Sequence, residues 1–120
     1  MQASNFSLPQ YLQRINFDAT PQPTLESISA LMRAQLFTVP FENTDVQQGK
    51  VVSLTPEDIV DKIVHQRRGG YCYEVNGVFA MALTALGIPY KMVAARPMFY
   101  PVRRPKTHMA LIVTLEGADY

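Results

Sequence analysis

The chain has 120 residues, 48% hydrophobic and 18% charged, with 11 Lys and Arg against 10 Asp and Glu for a net charge of +1. That balance excludes disorder and leaves no basic excess of the kind nucleic-acid binders carry. One Cys and two His exclude a disulfide framework within the chain and a multi-Cys metal site, so no metal is expected. The first ten residues, MQASNFSLPQ, lack a basic and an apolar leader region, and no apolar run approaches the roughly 18 residues that span a bilayer. The expectation is a soluble cytoplasmic globular chain, forming one domain or one domain and part of another.

The first two-thirds read as helices. Ser7 with Gln10 has capping-box spacing, and Leu8, Tyr11, Leu12 and Ile15 follow on one face. The polar stretch Asp18–Pro23 ends that helix. Thr24 caps a second one, with Leu25, Ile28, Leu31, Met32 and Leu36 at helical spacing until Pro40 stops it. Val39–Val46 reads as irregular, and Val51–Leu54 as a short β-like stretch. Thr55 and Pro56 form a cap and first-turn proline, Glu57 and Asp58 suit the helix dipole, and Ile59, Val60, Ile63 and Val64 form the apolar stripe. Arg67-Arg-Gly-Gly70 breaks this helix. A fourth begins near Cys72 and ends at Gly87, with Pro89 beyond.

After Pro89 the pattern changes to strands. Tyr90–Arg96 reads as one, and Pro97, Pro101 and Pro105 punctuate a basic, aromatic loop. His108 opens the run Met109–Leu115, apolar at even and odd positions alike, which predicts a strand buried on both faces. Glu116–Asp119 looks like a hairpin turn, so Tyr120 would be the first residue of the returning strand. Backbone groups of the buried strand are then expected to lack partners, as in a truncated form or a chain completed by something else. The fold class is α+β, with a helical domain over 1–88 and the first strands of an incomplete β domain over 89–120.

Cys72 is the first candidate for chemistry. A lone Cys is often a small buried hydrophobe, but here two glycines precede it, a helix starts at it, and Arg67 and Arg68 stand nearby. Helix N-termini and cations favour the nucleophilic thiolate. His108, 108 − 72 = 36 residues on, is the natural base, since a Cys nucleophile needs an imidazole and a third group to orient it. The alternative for His108 is a loop histidine without a partner. His65 reads as a solvated surface residue. A single Arg-Gly-Gly copy on a near-neutral chain is too weak to indicate nucleic acid. Arg103, Arg104 and Lys106 with Phe99 and Tyr100 make a basic, aromatic patch beside His108, either a solvated loop or one wall of a site for an anionic cofactor.

Arg68-Gly-Gly-Tyr-Cys-Tyr-Glu74 followed by Asn76 resembles the arginine-glycine-glycine-x-cysteine motif of arylamine N-acetyltransferases. Val39-Pro-Phe-Glu-Asn43 upstream, and His108 with its apolar strand downstream, are similar to two further segments of that family, in the same order. The resemblance implies a helical bundle followed by a β-barrel-like domain and an α/β lid, in a papain-like cysteine-enzyme arrangement. It implies Cys72 as the acetyl-accepting nucleophile and His108 as its base in a Cys-His-Asp triad. Acetyl-CoA would be the donor and an arylamine, arylhydrazine or arylhydroxylamine the acceptor, in ping-pong order, as in xenobiotic metabolism. Phe41 matches a position near the aromatic acceptor, with core packing as its alternative. Arg68, Gly69, Gly70 and Glu74 match motif positions and read as supports of the turn.

The family's triad aspartate lies on the strand after the one His108 begins, and the chain reaches Tyr120 before that strand. Asp119 belongs to the turn and is not assigned the role. Activity of the 120 residues alone is therefore an open expectation. Competing readings are an amide synthase of antibiotic biosynthesis, a cysteine peptidase or transglutaminase-like hydrolase, and an inactive fragment or binding module retaining the helical half.

Overall fold

The computed structural model describes residues 1–120. Helix α1 (Leu8–Arg14) is shorter than its apolar spacing suggests, because Asn16 at φ 56° turns the chain before the polar stretch begins. The expected capping box does not form. Ser7 occupies the N-cap position without a side-chain bond, and Gln10 instead lies 3.4 Å from His65 Nε2. Helix α2 (Leu25–Thr38) starts as expected: Thr24 Oγ1 accepts from Ser27 N at 3.3 Å, satisfying one of the orphan donors of a helix start. It ends at Val39, just ahead of Pro40.

The segment expected to be irregular contains a short helix, α3 (Thr44–Gln47). The β-like stretch at 51–54 is a correction: it forms no strand, and Val51 is 98% exposed. Its residues favour strands, but no neighbouring strand is there to complete a ladder. Helix α4 (Pro56–Val60) continues as a π-helical turn (Asp61–His65), and Ile59, Val60, Ile63 and Val64 are all buried, as the stripe predicted. Helix α5 (Cys72–Ala85) is the most buried element and ends at Gly87, φ +69°.

Three antiparallel strands follow, β1 (Tyr90–Ala95), β2 (His108–Leu115) and β3 (Ala118–Asp119), in that spatial order. β1 pairs with β2 from Tyr90 opposite Val113 to Ala95 opposite His108. Two expectations change here. β2 is not buried on both faces: Met109, Val113 and Leu115 are buried while Ala110, Leu111, Ile112 and Thr114 are only half-buried, since α5 packs against this small open sheet. The hairpin turn is also tighter than Glu116–Asp119. Glu116 and Gly117 alone make it, at φ 52° and 81°, the positive values a two-residue primed turn requires. Ala118 and Asp119 already pair with Leu115 and Thr114, and Tyr120 N donates to Val113 O at 2.9 Å. The backbone of β2 is thus paired along its β1 side, and on its β3 side from Val113 onward.

The core joins α1, α2, the α4–π segment, α5 and the inner face of β2 through Tyr11, Leu31, Ile63, Val78, Leu83 and Val113. Three polar side chains inside it, Tyr11, Gln35 and Arg14, are satisfied rather than stranded. Tyr11 Oη donates to Gln35 Oε1 at 2.7 Å, and Gln35 Nε2 donates to Val75 O at 3.0 Å; burial pushes the Tyr11 phenol well above its ordinary range. The Arg14 guanidinium donates to the carbonyls of Ile63, Thr38, Arg67 and Arg68 at 2.7–3.2 Å. It thereby holds the chain leaving the π turn, where the candidate site begins. No helix is long and apolar enough to cross a membrane.

Candidate active site

The turn ahead of Cys72 is built by close backbone approach. Gly70 N donates to Pro40 O at 3.1 Å and Glu42 N donates to Gly70 O at 3.0 Å, which lays Phe41 alongside Gly70 as an isolated parallel bridge. A Cβ at Gly69 would overlap the Pro40 carbonyl oxygen, and one at Gly70 would sit 2.7 Å from Glu74 Oε2. Both positions need glycine for space. The two family-like segments that the sequence separates by some thirty positions therefore meet through main-chain bonds.

A chain of ion pairs fixes this junction. Glu74, 1% exposed, accepts from Tyr71 N at 3.0 Å through Oε2 and from Lys62 Nζ at 2.6 Å through Oε1. Lys62 Nζ also lies 2.8 Å from Asp45 Oδ2, and Arg68 Nη2 donates to Asp45 Oδ1 at 2.8 Å, with Glu42 at 3.8 Å. Arg68 and then Lys62 hold the Asp45 carboxyl far below the usual range, and bonds from Thr44 lower Glu42. Arg68 thus spends its charge on Asp45 and Glu42. Lys62 and Asp45 were missed by sequence reasoning. Nothing in the local pattern marks a helix lysine as the link between two distant carboxylates.

Cys72 is the first residue of α5 and is 4% exposed. It lines an open cleft of about 660 Å³ together with His108, Phe41, Arg96 and Phe99. His108 reaches this cleft as the first residue of β2, and Asn76, one turn beyond Cys72, ties the two elements together by donating to Met109 O at 2.6 Å. Phe41 is 67% exposed among these residues and stands on the cleft wall. Asp119 is occupied elsewhere: its Oδ1 accepts from Thr114 Oγ1 at 2.6 Å, six residues and roughly 20 Å along the strand from His108. His65 pairs with Asp61 at 2.8 Å on the surface, outside the cleft. In the loop, the Phe99 and Tyr100 rings lie 4.2 Å apart and Arg104 stacks over Tyr100 at 4.7 Å. Arg103, Arg104 and Lys106 are exposed beside the cleft. No three His, Cys, Asp or Glu side chains gather in a group that could hold a metal ion.

A family model described as N-acetyltransferase matches residues 24–120. The arylamine N-acetyltransferase of Mycobacterium tuberculosis is 38% identical over 117 residues, which cover 92% of this chain and 41% of that protein. The solved arylamine N-acetyltransferase of Salmonella typhimurium superposes with a TM-score of 0.88 at 30% identity, over 99% of this chain and 43% of that one. That of Mycobacterium marinum, solved in complex with CoA, is 40% identical with a TM-score of 0.80, over 92% of this chain and 42% of that one. The chain spans about two-fifths of the length of the curated relatives it matches. Helices, open sheet and the junction of the Phe41 and Cys72 segments fall within the part these proteins share, and the chain belongs to the arylamine N-acetyltransferase family.

Proposed function

We propose that the protein to which these residues belong transfers acetyl groups from acetyl-CoA to arylamines, arylhydrazines or arylhydroxylamines through an acetyl-thioester on Cys72. The observation carrying this reading is the convergence of Cys72 and His108, from different elements, on one cleft with aromatic walls. In the first half-reaction His108 takes the thiol proton and Cys72 Sγ adds to the acetyl carbonyl. The bond from carbonyl to CoA sulfur breaks, and CoA leaves with the proton returned by His108. In the second, the acceptor nitrogen adds to the Cys72 thioester, the carbonyl–Sγ bond breaks, and the proton of the amine passes through His108 to the sulfur. A weakly basic aromatic amine is largely unprotonated at neutral pH and free to attack. Phe41 would stack on its ring.

The CoA-bound relative supports CoA as the donor, and exposed Arg103, Arg104 and Lys106 suit its phosphates. A Cys-His-Asp triad would take its carboxylate from outside these residues, given where Asp119 is bound. The same proposal reads 1–88 as the helical domain and 89–120 as the first strands of a β-barrel-like domain, in a papain-like arrangement. It places the enzyme in the cytoplasm, acting on xenobiotic amines. Intact mass of the full-length protein before and after brief exposure to acetyl-CoA tests it. Addition of one acetyl group that disappears in Cys72→Ala is expected, and no addition to the wild type would overturn it.

A further inference from the structure

Cys72 and Glu74 stand on the same first turn of α5, and their chemistries conflict. A carboxylate near a helix start is favourable, and Glu74 Oε2 secures the turn by accepting from Tyr71 N at 3.0 Å. The same helix start favours a thiolate at Cys72, which a fixed anion two residues away opposes. That anion is close. A Cβ on Gly70 would lie 2.7 Å from Glu74 Oε2, so the carboxylate rests on the backbone just ahead of Cys72. Its field reaches the adjoining residue: burial and then the Glu74 charge push the Tyr71 phenol up, while Lys62 acts the other way.

Lys62 meets this carboxylate from the π turn, with Nζ 2.6 Å from Glu74 Oε1. Burial lowers its ammonium, but bonds to Asp45 and Glu74 prevail and hold it above its ordinary range, so it is charged at neutral pH. Asp45 has Arg68 as a second cation at 2.8 Å. Glu74 pairs with Lys62 alone. The remaining ionisable groups around Cys72 come from other elements. His108 of β2, Arg96 after β1, Glu42 and Tyr71 share its cleft, and Tyr73 lines a separate apolar pocket. None of their side chains bonds to Glu74.

We propose that Lys62 is a positioning residue for the nucleophile: by neutralising Glu74 it lets that carboxylate hold the turn without opposing the Cys72 thiolate. Lys62 acts through Glu74 and touches no reacting atom. This rests on the acyl-transfer reading for Cys72 as the nucleophile. Failure of that reading shows as no acetyl-Cys72 in the wild type. Failure of this one shows in the reactivity of Cys72 itself, read without acetyl-CoA.

The test follows alkylation of Cys72 by iodoacetamide in the full-length protein, read by mass on the peptide that carries it, because the thiolate is the reacting form. At neutral pH Lys62→Met should react about tenfold more slowly, the effect of one unbalanced charge within about 10 Å at intermediate dielectric. Glu74→Gln keeps an acceptor for Tyr71 N and frees the Lys62 charge, so it should react faster than wild type. The double variant should return close to wild type, and Lys62→Arg should stay there. All should converge in alkali, above the ordinary thiol range of about 8.5. A role confined to holding the turn would move both single variants in the same direction. Opposite signs at neutral pH with convergence in alkali support the proposal, and any other pattern overturns it. Should Lys62→Met not fold, Glu74→Gln against the double variant isolates the same cation. A faster rate in Glu74→Gln then supports the proposal, and an equal or slower one overturns it.

Discussion

Replacing Lys62 by Met removes the ammonium standing between Asp45 and Glu74. The two carboxylates fare differently. Asp45 keeps Arg68 at 2.8 Å, whereas Glu74, 1% exposed, keeps only the Tyr71 amide at 3.0 Å. Stripping one partner from a fully buried pair costs about 3–5 kcal/mol. The Lys62 side chain is 13% exposed, so water relieves part of this and the lower end, about 3 kcal/mol, is expected. That is a large share of a typical domain stability of roughly 5–15 kcal/mol. Urea unfolding should show it as a lower midpoint at unchanged slope. The double variant Lys62→Met with Glu74→Gln supplies the internal control. With no charge left unpaired, it should recover more than 1 kcal/mol relative to Lys62→Met alone, a coupling that only contacting residues show. If Lys62→Met lies within about 0.5 kcal/mol of wild type, like an ordinary surface change, or if the two effects simply add, the network does not hold the Cys72 turn as argued.

Gly69→Ala forces a Cβ into the Pro40 carbonyl and should break the two main-chain bonds between Pro40–Glu42 and Gly70. A loss of about 2 kcal/mol, roughly 1 per bond, is expected in the same unfolding assay, and a neutral result would refute the close approach. The carboxyls of Asp45 and Glu42 titrate lower in the folded chain than unfolded. Their contribution is therefore fully present above the ordinary carboxylate range of about 4 and is lost as pH falls below it. Urea midpoints taken from pH 7 to pH 3 should hold above about pH 5 and drop beneath pH 4, with a shallower drop in Asp45→Asn; an equally steep fall in that variant would contradict the assignment.

Apolar spacing with caps and breakers located the long helices, and apolar runs after Pro89 located the two longer strands. Thr24, Pro40 and Gly87 mark ends that the backbone respects, because caps and breakers act through neighbouring residues in the chain. The motif around Cys72 was legible in part for the same reason, since Glu74 bonds back to Tyr71 N within the turn and Gly70 packs against Glu74. Errors arose where a segment depends on what lies across from it. Val51–Leu54 has strand-like residues and no strand beside it. The burial of β2 is set by α5 lying against a small open sheet, not by the composition of β2. The Glu116–Gly117 turn depended on positive φ angles, which only Gly117 advertises.

The chemistry-bearing residues Cys72, His108 and Phe41 could be picked out one at a time from local context and resemblance. Their meeting in one cleft could not, since it is made by Gly70 against Pro40, by Asn76 against Met109, and by Lys62 between Asp45 and Glu74. Each of those contacts joins residues at least a dozen positions apart, where local propensity has no reach and only packing decides which polar groups find each other.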